Sequence, residues 1–250
     1  MRILARRLYH ELKTVVARSP ALAIPAARLR HGVPVDGGTE IVIEGFPRTG
    51  TSFAVAAFRL AQPRPVAVAC HVHAPAQVIA GVRRGLPVLL CIRDPEETVL
   101  SYAVRNPHLT LRQALRSYLR FYEPLLRHRA GVVVAPFERI TTDLGGLILE
   151  VNARFGTDFA LFEHTEENVR ACFEQIDEDY RRRVSGLAFE RQVARPSPVR
   201  QRMKEELRAA YRGPALAGLR ARADAAYRAL AGPAGARPGP PGASSGPGVR

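Results

Sequence analysis

The sequence predicts an α/β fold, a three-layer sandwich with a central parallel sheet. Two observations carry this. Four short apolar runs read as buried strands: Ile41-Val42-Ile43, Val66-Ala67-Val68-Ala69-Cys70, Val88-Leu89-Leu90-Cys91-Ile92 and Val132-Val133-Val134-Ala135. Between them lie segments with apolar residues at helical spacing, and strand–helix alternation yields a parallel sheet with helices on both faces. In such sheets ligands gather at the carboxyl ends of the strands.

The 250 residues, 46% of them hydrophobic, suffice for one domain with a full core. Residues 1–40 read as an N-terminal helix and connector, 41–230 as the α/β domain, and 231–250 as a disordered Pro/Gly-rich tail. Cys70, Cys91 and Cys172 are widely spaced, and no CxxC pair or Cys/His cluster signals a metal site. A reduced, cytoplasmic setting is expected. No apolar run approaches the about 20 residues of a membrane helix, and the N-terminus lacks the apolar stretch of a secretory signal. The net charge of +14 is uneven. Residues 1–35 hold 7 Lys/Arg against 1 acid, 36–180 hold 15 against 18, and 181–250 hold 15 against 4. A slightly acidic centre with basic ends argues against a nucleic-acid partner, which selects a basic face on the folded domain.

Leu4, Leu8, Leu12 and Val15 recur at helical spacing among Arg6, Arg7, Lys13 and Arg18, so residues 1–18 form a basic amphipathic helix. Packing on its own domain is the expectation, and peripheral membrane contact is the other reading. Pro20, Pro25, Pro34 and Gly37-Gly38 make 19–40 a connector.

The run Ile41–Ile43 ends at Glu44-Gly45, the loop Phe46-Pro47-Arg48-Thr49-Gly50 follows, and Thr51 and Ser52 open a helix. Strand, Gly-bounded loop and helix start make a phosphate cradle, in which backbone N–H groups and the helix dipole favour an anion. The spacing is that of a P-loop-containing, nucleotide-binding domain, save that Thr51 stands where phosphoryl transfer needs Lys. That argues against an ATPase or kinase. A cation is present within the loop instead, at Arg48. Pro47-Arg48-Thr49-Gly50-Thr51-Ser52 resembles the 5′-phosphosulfate loop of sulfotransferases that use 3′-phosphoadenosine-5′-phosphosulfate (PAPS), where Pro-Lys/Arg-Ser/Thr-Gly-Thr-Thr/Ser is usual.

After the second strand comes His71-Val72-His73-Ala74-Pro75, then a helix over about 76–84. His73-Ala74-Pro75 resembles the family's Lys-Ser/Thr-His-Leu-Pro segment, whose His is the catalytic base in the family's cytosolic members, although His71 replaces the Lys. The third strand leads into Arg93-Asp94-Pro95-Glu96-Glu97, with Asp94 as N-cap, Pro95 at the first helical position and Glu97 completing a capping box. Arg93 with Ser101 resembles the family's 3′-phosphate element. The planar guanidinium fork suits bidentate phosphate binding.

Residues 110–129 read as one helix and 143–156 as another. Phe137-Glu138 resembles a structural Tyr-Glu of the family. Glu166-Glu167 and Asp177-Glu178-Asp179 read as solvated faces. The family's late Gly-rich basic segment has no counterpart here, and Arg195, Ser197 and Arg200 are candidate substitutes beside Arg181-Arg182-Arg183. Residues 199–230 read as one or two helices.

The resemblance spans about 40–160. It implies a sulfotransferase in which Arg48, Thr49, Gly50, Thr51 and Ser52 hold the 5′-phosphosulfate and Arg93 and Ser101 the 3′-phosphate. Arg48 and His73 would be catalytic. It needs no metal. The acceptor it implies is a hydroxyl, or less readily an amine, on a small molecule, glycan or lipid. A P-loop nucleotide kinase and a non-enzymatic nucleotide- or polyanion-binding module are the rival readings.

Overall fold

The computed structural model describes residues 2–27, 32–182 and 184–232. In chain order, α1 (Arg2–Val16) and α2 (Pro20–Ala27) precede β1 (Ile41–Gly45), α3 (Thr51–Ala61), β2 (Val68–Cys70), α4 (Pro75–Arg83) and β3 (Val88–Ile92). Then follow α5 (Pro95–Arg105), α6 (Leu111–Tyr122), a 3-10 segment (Glu123–Gly131), β4 (Val133–Pro136), α7 (Phe137–Thr142), α8 (Leu144–Phe155), α9 (Glu166–Arg181), α10 (Gly186–Gln192), α11 (Pro198–Arg212) and α12 (Ala217–Ala231). Arg183 and the tail expected to be disordered lie outside the described residues, save Ala231 and Gly232.

The strands pair in the order β2-β1-β3-β4, all parallel. Ile43 stands beside Cys70 on one side and Leu89 on the other. Strands covered on both faces need apolar residues at every position, which is why these runs do not alternate. Val42, Leu90 and Ile92 face one core with α4, α5, α6 and α12. Ile41, Ile43, Leu89 and Cys91 face the other, with α3, α7, α8 and α9. Each fully buried Ile or Leu there contributes about 1.5–3 kcal/mol by leaving water. All three cysteines are unpaired and buried. Among the described residues no helix is long and apolar enough to cross a membrane, and no group of His, Cys, Asp and Glu is arranged to hold a metal ion.

Four expectations need correction. The connector 19–40 contains α2, which begins at Pro20, and an antiparallel bridge from Val33 to Cys70. The helix expected over 110–129 ends at Tyr122, and the 3-10 segment continues with Pro124 in its first turn, where the ring supplies no N–H. Asp177 is buried rather than solvated, clamped by Arg195 Nε at 2.8 Å and Arg181 Nη2 at 3.2 Å. Finally, α1 does pack on its own domain, but through polar groups. His10 Nε2 lies 2.8 Å from Ser117 Oγ, and Arg7 Nε donates to the His108 carbonyl at 2.7 Å. Leu4, Leu8, Leu12 and Val15 are exposed.

Candidate functional site

The chain passes from β1 to β2 on one side and then to β3 on the other, so the sheet's switch point lies between β1 and β3. The loop after β1 and Arg93 after β3 therefore flank one crevice. Tyr122 ties these strand ends together: its hydroxyl donates to the Cys91 carbonyl at 2.8 Å and accepts from Phe46 N at 3.3 Å.

A cavity of about 870 Å³ opens here, and Arg48, Gly50, Thr51, Ser52, His71, His73, Arg93 and Ser101 all line it. Gly50 has φ 89° and caps α3, whose first amides meet no side-chain cap. A Cβ on Gly45 would lie 2.6 Å from both the Cys91 carbonyl and Thr49 Oγ1, so only glycine lets the loop turn so tightly. Thr49 is the candidate that does not line the cavity. It is fully buried, and its hydroxyl donates to the Phe46 carbonyl at 2.7 Å, closing the loop from within.

Arg48 has φ 79°, outside the ordinary range for a residue with a side chain. Its guanidinium is fixed on three sides. Nε donates to Ser101 Oγ at 2.9 Å, Nη1 to the Gln192 carbonyl at 2.8 Å and Nη2 to the Val193 carbonyl at 3.1 Å. One side chain thus joins the loop, helix α5 and the α10–α11 connection. Burial, then Arg200 and Arg105, push Arg48 down to about 9, which still leaves it charged at neutral pH.

Arg93 packs its guanidinium over the Phe137 ring at 3.9 Å and makes a long contact of 3.5 Å with Glu97. Glu97, expected in a capping box, has its carboxylate on Lys204 Nζ and, at 3.1 Å, on Arg208 Nη2. Arg93 is therefore held in place with donors to spare. Burial lowers its pKa, opposed by Glu97. Burial does the same to Arg200, which the α11 start brings to the cavity wall with Arg195. Arg200 Nη1 donates to the Glu190 carbonyl at 2.9 Å, and Arg195 is occupied by Asp177. Ser197 also reaches the wall, but it caps α11, accepting from Arg200 N at 3.3 Å and donating to Glu190 at 2.9 Å. Several cations converging on one cavity could hold a multiply charged anion.

His71 and His73 both have left-handed backbones, φ 61° and 52°. Glu44, which sequence reasoning passed over, holds that turn. It is fully buried in β1 and accepts from Gly45 N at 2.9 Å, Val72 N at 2.9 Å and His73 N at 3.1 Å. His73 Nδ1 lies 2.8 Å from the Gly45 carbonyl and 3.4 Å from Glu44 Oε1. A carbonyl only accepts, so Nδ1 carries the proton and Nε2 presents a lone pair. A carboxylate beside the protonated nitrogen is the arrangement that steadies an imidazolium once Nε2 takes a proton. His73 also lines a smaller pocket of about 160 Å³ with His10, Lys13, Phe46, Tyr102 and Phe121. Besides Glu44, sequence reasoning missed Arg59, Arg105 and Tyr180 on the main cavity. Glu44 had a signal, a lone acid ending an apolar strand. The other three lie on helices whose facing no spacing fixed.

No protein-family model matches this chain, and no curated protein matches it in sequence. Among solved structures it is similar to the mouse sulfotransferase SULT7A1 complexed with PAP, with 12% identity over 80% of this chain and 92% of that one, at a TM-score of 0.40. A likeness that distant carries no chemistry across. The loop, the cations and the histidine stand on their own geometry.

Proposed function

We propose that this protein transfers a sulfuryl group from PAPS to an acceptor hydroxyl. The observation that carries the reading is convergence: the glycine-bounded loop, Arg93 with Ser101, and His73 with a free Nε2 surround one cavity at the sheet's switch point. The uncapped amides of α3, with Thr51 and Ser52, suit the 5′-phosphosulfate. Thr49 serves by shaping the loop. Arg93, held over Phe137 with donors to spare, suits the 3′-phosphate. Ser101 stands beside it and orients Arg48.

In the reaction the acceptor oxygen attacks sulfur in line with the bond to the 5′-phosphate. The new S–O bond forms as the old one breaks, and 3′,5′-phosphoadenosine (PAP) departs with the bonding pair. His73 Nε2 takes the hydroxyl proton, and Glu44 steadies the charge that appears on the ring. Arg48 neutralises charge growing on the departing phosphate oxygen. It donates without giving up a proton, which suits a leaving group that is a weak base. The smaller pocket shares His73 with the main cavity and is the approach for the acceptor.

Calorimetry with PAP, without magnesium, tests the cofactor half of the reading, and labelled PAPS with pooled acceptors tests the transfer. Tight PAP binding with weak binding of magnesium ATP is expected. Equal affinities would return the site to a nucleotide kinase.

A further inference from the structure

The docking of α1 is inverted. An amphipathic helix ordinarily buries its apolar stripe against the domain. Here the side turned inward is polar: His10 meets Ser117, Arg7 meets the His108 carbonyl, and Arg120 holds both Glu11 and Thr14, the latter at 2.8 Å. The outward side carries Leu4 at 73% exposure, Leu8 at 62%, Leu12 at 59%, Val15 at 52% and Val16 at 41%, with Leu22 of α2 at 58% nearby. At 3.6 residues per turn the first four share one face. Arg6 and Lys13, seven residues apart, are exposed on the flank of the helix beyond Val16, and Arg18 is exposed in the turn that follows the helix. The helix's one acid, Glu11, is paired with Arg120.

We propose that α1 docks the protein on an anionic bilayer surface, its leucines entering the headgroup–acyl boundary and the exposed Arg6, Lys13 and Arg18 meeting lipid phosphates and carboxylates. Charge selects this occupant. An apolar stripe with exposed cations on one flank and at the helix end matches an anionic sheet, which supplies apolar depth and negative charge together. A second copy would bring these cations against their like. The inner side of the same helix gives His10 and Thr14 to the smaller pocket that His73 lines, so docking sets that pocket beside the membrane. The docking stands whatever reaction occurs at His73.

The full chain contains no tryptophan, so Leu12→Trp is a sole reporter on the stripe and Leu149→Trp, at an exposed position of α8, a control. Sedimentation with phosphatidylcholine vesicles, with and without phosphatidylserine, measures binding. Binding to the anionic vesicles, weakened by salt, is expected, with a blue shift of the Leu12→Trp emission and none of Leu149→Trp. Leu8→Gln/Leu12→Gln keeps the charge and should weaken vesicle binding by roughly tenfold or more. Both positions are exposed, so its melting temperature should match that of the parent. Absence of vesicle binding would overturn the proposal. So would equal binding by the double variant, which would trace attraction to the basic C-terminal segment. A doubling of mass in light scattering without lipid, lost in the double variant, would overturn it in favour of self-association.

Discussion

Arg48 Nε donates to Ser101 Oγ across 2.9 Å, joining the loop after β1 to the second turn of α5. Ser101 is almost fully buried, so this bond is made out of water's reach. The two residues should act as one unit in ligand binding.

We predict that Arg48→Lys and Ser101→Ala are non-additive for PAP affinity. Contacting residues that share a bond couple by about 0.5–3 kcal/mol, and a lysine cannot reproduce the three-way fork that also holds the Gln192 and Val193 carbonyls. A double-mutant cycle by calorimetry measures the coupling. Strictly additive losses would mean the two residues bind separately.

Arg93→Ala should weaken PAP by roughly 1.5–3 kcal/mol, the range for losing a hydrogen bond to a charged group. Binding of 5′-AMP, which has no 3′-phosphate, should barely change. Parallel losses for both ligands would assign Arg93 to the 5′ site.

His73→Ala should lose turnover by a factor of about 10² to 10⁴ while binding PAP normally. His71→Ala should lose less, because the Glu44 and Gly45 contacts that orient an imidazole fall on His73. The reverse ranking in steady-state kinetics would move the base to His71.

Glu44→Gln should destabilise the fold by about 1–3 kcal/mol. The amide keeps one acceptor but turns its NH2 toward either the Gly45 N–H on one side or the Val72 and His73 N–H groups on the other. Thermal melting reads the loss of stability, and turnover should fall as His73 loses its neighbouring carboxylate. Unchanged turnover in the folded variant would confine Glu44 to holding the turn.

Acid should loosen α1. Burial holds His10 below the ordinary histidine pKa of 6.5, and Glu11, Lys13, His108 and Arg120 surround it with mixed sign. The unfolded chain therefore takes up a proton at higher pH than the folded one. The stability that neutral His10 contributes is complete above pH 6.5 and declines as pH falls toward the depressed folded value. Amide exchange across residues 3–16 should accelerate between neutral and mildly acidic pH, and His10→Gln should flatten the response.

The sheet and the ligand-facing turns were legible because each rests on local chemistry. Apolar runs bounded by Gly and Pro mark buried strands, and Gly45 and Gly50 mark a loop that no other residue can close. Asp94 and Pro95 announced the start of α5, and the Asp94 carboxylate does accept from Glu97 N at 3.1 Å. What stayed hidden depends on facing. Thr49 was read as a ligand because its type fits, yet its hydroxyl turns inward. Asp177 read as solvated because it lies in an acidic run, yet α9 rotates it toward Arg195. The stripe of α1 was visible, but no periodicity reveals that a polar side of the helix would find better partners.

Glu44 also bears on how the chain finds its pairing. Strands apolar on both faces discriminate weakly among alignments, because Ile41, Val42 and Ile43 would be buried in any of them. Sliding β1 by two residues against β2 would keep every side chain on its own face. It would also carry Glu44 about 6.6 Å along the strand, away from the amides of Val72 and His73, leaving a carboxylate stranded among hydrocarbon. The costliest residue in the strand is thus the one that makes misalignment intolerable, and the turn bearing His73 is fixed by the same bonds that set the sheet's register.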